Sequence, residues 1–544
     1  MNTRQLQTDK NPKLYHALLG ILLVCALAMM MLLSYWACKY SYYGAVDGRT
    51  RGVLVGDKTW AHIAVFLAAS LCAMGIDKVL MKKDKSQQEK ICLCTLIVTS
   101  VIAFILGVFY VCKNPYYPVG DQINTTAFAA YCRDGNFSML SIGGYVGMYQ
   151  QQKGLAILYE ILFTLFGDFN YRPAKILHVV WWILTILAGY GFLKLNTDRP
   201  VFRMLYCVMM LGCFPLLFYL PYIYGDVLSI SFGIILFYGV AAYEHSGQKR
   251  YIALASFAAG LAVLARKNTW IVLVAVAVYV LLVSLRKKKV RYLMAGTAIL
   301  LTAALSVKAV DVIYEVRSGY PSGVGIPSIL WVAMGLQETE GRAGVYNRYQ
   351  QATFTDYDCQ QELAAQQGKE YIRERLEEFS QDPGMAFNFF KNKVEGQWIE
   401  PMYAALESTE SFEEGAELSP VLESLYYGEL GRTIWKLTNY YQSILYLAGL
   451  MALVMLGILW WKKKEVPISL WLPWIAVFGG FLFSILWEAK SRYVFPYCVF
   501  MILYAPEGLY QTGLLLCKLP KLRKFKKSGH TQDKGEEASL RETA

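Results

Sequence analysis

Apolar residues in this chain fall in long unbroken runs and do not alternate with polar ones. Runs of roughly 18 or more such residues can cross about 30 Å of hydrocarbon as helices. Twelve spans are predicted: residues 14–36, 60–80, 91–112, 174–193, 204–222, 227–243, 252–265, 269–285, 292–314, 441–461, 467–487 and 493–514. Two stretches need a decision. The run 154–166 is apolar but carries Glu160, and its roughly 13 residues reach only about 20 Å as a helix. It is read as a juxtamembrane helix that does not cross. The run 252–285 would make a helix of roughly 51 Å, too long for one span, so it is broken at Arg266-Lys267-Asn268. The expected fold is an all-α polytopic membrane protein of about 12 transmembrane helices (11–13), with juxtamembrane helices and a mostly helical extracytoplasmic segment.

This pattern divides the chain into regions. Residues 1–90 hold a polar, basic start and two helices, and residues 91–314 hold the main transmembrane module with a large outside loop at 113–173. Residues 315–440 form an acidic segment expected outside, helix-forming at 360–379, with an apolar piece at 326–336 expected to dip into the membrane surface. Residues 441–514 return to the membrane, and 515–544 read as a basic, disordered cytoplasmic tail. The apolar stretch 14–36 is too long for a signal-peptide core and is read as a retained helix.

Composition agrees with the run pattern. Of 544 residues, 56% are hydrophobic and 17% charged, against about a quarter charged in soluble domains; mean hydropathy is +0.33. The net charge of +12 does not point to nucleic acid, because the cations cluster between spans. Lys82, Lys83, Lys85 and Lys90, then Lys194, Arg199 and Arg203, then Lys249 and Arg250, Arg286 to Lys289, Lys462 to Lys464 and the tail all share one side. The positive-inside rule makes that side cytoplasmic, with both termini there. The 39–59 loop, with its own basic residues, is an exception. Most of the 12 cysteines sit in apolar runs as small hydrophobes, and none has zinc-ligand spacing. Cys132 and Cys359 fall in outside loops, where a disulfide between them is open.

Candidate chemistry gathers on the outer face. Asn114-Pro-Tyr-Tyr117-Pro-Val-Gly-Asp121-Gln122 follows the third span closely, and Pro221-Tyr-Ile-Tyr224-Gly-Asp226 opens the sixth. A carboxylate at the bilayer surface can take a proton from a hydroxyl, although both positions also suit a helix cap. Arg266-Lys267-Asn268 and Glu488-Ala-Lys490-Ser-Arg492-Tyr493 bring cations to the side where the charge rule disfavours them. Such cations suit a phosphate anchored in the membrane, or reflect interfacial snorkelling. Lys153, at the start of the juxtamembrane helix, is a further candidate.

Taken in order, these motifs resemble the GT-C superfamily of polytopic glycosyltransferases, and among them the bacterial branch similar to protein mannosyltransferases and aminoarabinose transferases. Pro118-Val-Gly-Asp121 looks like the family's catalytic Asp in the first outside loop, and Lys153-Gly with Leu165-Phe166-Gly167 looks like its juxtamembrane helix. Arg172-Pro-Ala-Lys175, Pro221 to Asp226, Leu264-Ala-Arg266-Lys-Asn268 and Glu488 to Pro496 resemble later signatures, over roughly residues 91–506. Lys153-Gly-Leu departs from the usual Lys-Pro-Pro, and the first two spans precede the similar region.

The resemblance implies transfer of a sugar from a polyprenyl-phosphate donor to a hydroxyl on a lipid, cell-wall glycan or protein, at the extracytoplasmic face of the cell membrane. Asp121 would be the catalytic base. Arg266 and Arg492, with Lys267 or Lys490, would hold the phosphate. Asp226 would orient the acceptor or bind a divalent cation, a role that leaves metal use open. Tyr117, Gln122, Lys153, Tyr224, Glu488 and Tyr493 would contact substrate. The alternative from another class is a transporter or flippase of lipid-linked glycans, which would carry charges in mid-membrane and internal repeats.

Overall fold

The computed structural model describes residues 13–43, 53–323, 325–464 and 466–518. It is almost wholly helical, with two short antiparallel hairpins, Tyr40–Tyr43 with Val53–Gly56 and Glu338–Thr339 with Arg342–Ala343. Among the described residues, nine helices are long and apolar enough to cross a membrane, including Lys13–Lys39, Arg172–Asn196, Asp226–Ser246 and Val290–Ser318. The chain is therefore an all-α polytopic membrane protein. Many of the large apolar side chains on these helices point outward, as expected where lipid is the solvent.

Two expected spans are not single helices. Across 204–222, the Pro200–Leu211 helix stops at Gly212, and a short Phe214–Phe218 helix restarts with Pro215 in its first turn. Proline lacks the N–H that would continue the ladder and turns the preceding residue away from helical geometry. Across 493–514, Ser491–Met501 is followed by a turn at 502–504 and a second helix over 505–518, with Pro506 again near its start. The run at 252–285 is broken at the expected place, between Lys249–Ala265 and Trp270–Lys287. Cys132 and Cys359 both carry free thiols, so the open disulfide is not formed.

Contacts between loops assign helix ends to two poles. At one pole Glu89 accepts from both terminal nitrogens of the Arg203 guanidinium, Asp77 pairs with Arg199, and Arg286 donates to the Val466 carbonyl. Tyr15, near the start of the first helix, lies 5.9 Å from the Arg286 guanidinium, and Lys78 contacts Cys517 near the end of the described chain. The basic loops thus gather with both described chain ends. Arg49 and Arg51 of the exceptional loop lie outside the described residues, as does the tail beyond 518.

The opposite pole joins the remaining turns to the 315–440 segment. The backbone N–H of Tyr42 donates to the Ile399 carbonyl, that of Tyr117 to Ser411, and that of Ala489 to Gly344. The Lys153–Phe166 helix lies at this pole with both its ends. Gly154 abuts Leu264 at the start of the helix, and Phe163 meets Tyr171 near its finish. The 326–336 piece, expected to dip into the membrane surface, forms the Ile329–Gly335 helix, and its Leu330 is fully buried against Gly368 of the Gln361–Gln381 helix.

At the basic pole, Glu244 is buried and binds Lys287 (2.9 Å), the Tyr279 hydroxyl (2.8 Å) and the Ser469 N–H (3.0 Å). Glu244→Ala should cost about 2–3 kcal/mol, because charged hydrogen bonds are lost and their donors stranded. Glu429→Ala removes a carboxylate that is 81% exposed beside Arg432, and should change stability by no more than roughly 0.5 kcal/mol. Thermal unfolding of the detergent-solubilised protein checks both; equal effects would contradict the burial of Glu244.

Candidate active site

The non-basic pole encloses a cavity of about 850 Å³. One wall comes from the turns between membrane helices, the other from the 315–440 segment and the N-terminal hairpin. Lys175 begins the framework. Its buried ammonium donates to the Tyr116 carbonyl at 2.8 Å and pins the extended stretch that leads to Asp121. Gly120, at φ 58°, turns that stretch into the Asp121–Arg133 helix, a conformation that side chains with a Cβ resist. Asp121 is exposed to the cavity, and one carboxylate oxygen accepts from the Tyr145 hydroxyl at 2.8 Å. The carboxylate is therefore oriented yet reachable.

The cations are set by a buried acid. Asp226 opens the Asp226–Ser246 helix and is only 3% exposed. Its Oδ2 accepts from Arg266 at 2.8 Å, and its Oδ1 lies 3.8 Å from Arg492 Nε. The approach depends on Gly225, where a Cβ would stand 2.0 Å from the Ala265 carbonyl oxygen and 2.9 Å from Arg266 Cγ. Aromatic faces complete the cradle. Arg266 lies between Tyr224 (5.1 Å) and Tyr493 (5.4 Å), and Arg492 lies over Tyr222 (5.3 Å) while donating to its hydroxyl. Tyr224 in turn accepts from Gln152 at 2.5 Å. Two guanidinium groups against one carboxylate leave net positive charge, and Lys267 and Lys490 line the same cavity. An anion with several oxygens would find charge-assisted donors there.

Glu488 lies between these parts. Burial pushes its carboxyl up to about 7; Lys490 opposes that rise and nearby Asp121 adds to it. Both its oxygens lie 3.4 Å from the Tyr493 hydroxyl. Glu400 is also pushed up to about 7 by burial, against hydrogen bonds from the Ala404 and Met402 N–H groups and Ser491.

Of the residues expected from sequence, Asp121, Gln122, Tyr224, Arg266, Lys267, Glu488, Lys490, Arg492 and Tyr493 line the cavity. Asp226 stands behind it, and its carboxylate is engaged by the two arginines. Lys153 does not reach the cavity lining. Its buried ammonium pairs with Asp311 at 2.5 Å and donates to Ser322 at 2.8 Å, so it anchors the juxtamembrane helix to the Val290–Ser318 helix. Tyr117 also misses the cavity, with its ring against Tyr171. Tyr116 and Tyr117 are neighbours in an extended stretch, where successive side chains face opposite ways. Among the described residues, no three His, Cys, Asp or Glu side chains gather as a metal site.

Sequence reasoning missed Tyr42, Trp331, Arg348, Gln350 and Glu400 of the second wall, and Tyr145, Tyr149 and Trp487 of the first. Glu400, set between Ile399 and Pro401, was the one with a signal, an acid inside an apolar context. The rest reach the cavity through tertiary contacts that no short motif records.

Two outcomes follow from this geometry. Asp226→Ala strands two largely buried arginines and should cost about 3–5 kcal/mol of stability. Asp121→Asn, at an exposed position, should stay within roughly 0.5 kcal/mol of wild type by thermal unfolding. The raised carboxyl of Glu488 binds its proton more tightly in the folded state than at the ordinary value of 4.5. Its contribution to stability is therefore complete below about pH 4.5 and is lost as pH rises through about 7. Glu488→Gln should flatten that part of the stability profile by at most about 3 kcal/mol, measured as unfolding free energy between pH 4.5 and 8. An unchanged slope would contradict the burial of Glu488.

No protein-family model matches this chain, and neither a curated protein nor a solved structure matches it.

Proposed function

We propose that the chain is a membrane glycosyltransferase of GT-C type that moves a sugar from a polyprenyl-phosphate donor to a hydroxyl acceptor. In this reading the basic pole is cytoplasmic, the cavity is extracytoplasmic, and the chain crosses the membrane twelve times. Loop contacts that alternate between the poles along the chain support that count, with broken helices serving as the fifth and last crossings.

The observation that carries the reading is the pairing, across one cavity, of the exposed Asp121 carboxylate with the cationic cradle of Arg266 and Arg492. Transfer needs both. The acceptor oxygen attacks the anomeric carbon as the bond from that carbon to the phosphate oxygen breaks. The hydroxyl proton goes to Asp121, acting as general base. The polyprenyl phosphate leaves with the bonding electrons, and preorganised cations stabilise that charge. A single displacement inverts the anomeric centre. Asp226 serves as a positioning residue, because it touches the arginines and not the cavity.

Purified protein in nanodiscs, given a radiolabelled polyprenyl-phosphate sugar and a mixed pool of hydroxyl acceptors, should transfer label. Asp121→Asn should lower the rate by about 100-fold or more. Arg492→Ala should weaken donor use at equal protein stability. Label that stays on the lipid but crosses the bilayer of sealed vesicles would replace this reading with a flippase. Undiminished transfer in Asp121→Asn would remove Asp121 from the base role.

A further inference from the structure

Aromatic rings from both walls form a connected strip along the cavity: Tyr145 and Tyr149 from the 113–173 loop, Trp331 from the 315–440 segment, and Trp487 from the turn before the Ser491–Met501 helix. Trp487 and Trp331 stack with centroids 5.9 Å apart and planes within 4°. Tyr149 meets Trp331 edge-on at 6.2 Å, and Tyr145 lies 5.1 Å from Tyr149. Tyr145 then donates its hydroxyl to the Asp121 carboxylate. The strip runs from the extracytoplasmic Ile329–Gly335 helix to the carboxylate, and all four rings line the cavity.

A polar group lies unused beside these rings. Gln350 is fully buried and lines the cavity, and neither its amide oxygen nor its amide nitrogen has a well-formed hydrogen bond. The Tyr149 hydroxyl interacts with it. A carboxamide offers two donor and two acceptor positions, so most of its capacity is open. Burying such a group unsatisfied costs about 1–3 kcal/mol, and a ligand with both donors and acceptors would recover that.

Aromatic rings beside a bifunctional amide suit one chemistry, with Trp487, stacked on both Phe483 and Trp331, as their support. A sugar ring presents an apolar C–H face to an aromatic plane and hydroxyls, each both donor and acceptor, at its edge. A fatty chain would leave Gln350 unpaired. A peptide has an extended backbone whose N–H and C=O groups would need partners along its whole length.

Resting on the glycosyl-transfer reading above, we propose that the acceptor is a glycan, whose terminal sugar lies on the Trp487–Trp331–Tyr149 strip, bonds Gln350, and presents its attacking hydroxyl to Asp121. The donor sugar arrives from the arginine side. The two sides of the cavity then divide the work: the arginine-bearing turns hold the phosphate, and the aromatic strip with Gln350 reads the acceptor.

The test measures binding without transfer. Full-length protein in nanodiscs is mixed with linear hexose and N-acetylhexosamine tetrasaccharides, a Ser/Thr-rich decapeptide, and octanol. Saturation-transfer NMR then reports which of these the protein holds. Ring C–H protons of at least one saccharide should receive saturation in wild type and in Asp121→Asn. Trp331→Ala and Gln350→Leu should each weaken that affinity by about threefold to tenfold, and Trp331→Phe should restore much of it. Equal thermal unfolding of the variants separates lost contact from lost fold. Overturning results are Trp331-dependent binding of the peptide or of octanol, saccharide binding indifferent to Trp331 and Gln350, or no saccharide held at millimolar concentration. A failed transfer assay leaves this readout intact, and transfer to peptide or lipid would sink the glycan acceptor while keeping the transferase.

Discussion

A single buried carboxylate governs the geometry of the cavity. Arg266 and Arg492 come from turns far apart in sequence, yet both guanidinium groups meet Asp226. Two cations that close would repel by several kcal/mol in a poorly screened interior, and neither could be buried without compensation. Asp226 supplies the offsetting charge, and Gly225 lets the backbone come close enough for it to act. The faces of Tyr222, Tyr224 and Tyr493 take up the remaining attraction. Because these residues lie on three different interhelical turns, the ion group also fixes where the helices bearing them end. The position of the cavity at one pole of the bundle follows from that.

The membrane helices were legible because lipid imposes a crude rule. An apolar run must be long enough, and its backbone must satisfy itself. The break at Arg266–Asn268 was readable for the same reason, since a longer helix would exceed the bilayer. The broken passage through Pro215 was not readable from hydropathy, which registers side chains and not the missing N–H. Site residues followed a similar division. Charged groups at span ends stand out against an apolar background, and most of those singled out line the cavity. Lys153 stood out equally, but its partner Asp311 sits one helix away in space and far along the chain, where no local pattern could pair them. Tyr117 packs its ring against Tyr171 while its neighbour Tyr116 is buried and donates to the cavity-lining Gln122, a division that the local motif does not record.

The 315–440 segment was the least legible region and contributes the most unforeseen surface. Its acidic composition suggested an outside segment, and no candidate site residue was drawn from it. Its helices instead fold back so that Trp331, Gln350 and Glu400 face the same space as Asp121. The hydrogen bonds from Tyr42 to Ile399 and from Ala489 to Gly344 tie this segment to the membrane turns. Each such contact joins residues far apart in sequence, so propensity and periodicity carry no trace of them.

The division between walls bears on how one carboxylate can be kept available among several. Asp121 and Glu488 influence each other electrostatically, and two neighbouring acids resist being ionised together. Burial settles the competition against Glu488, whose carboxyl is pushed up to about 7, whereas Asp121 is exposed. An incoming phosphate in the arginine cradle would add negative charge beside Glu488 and favour its neutral form further. Under the proposed reaction, donor binding would then leave Glu488 able to donate a hydrogen bond instead of repelling the phosphate. The same burial that costs stability above neutral pH thereby keeps the cationic cradle uncancelled when an anion occupies it.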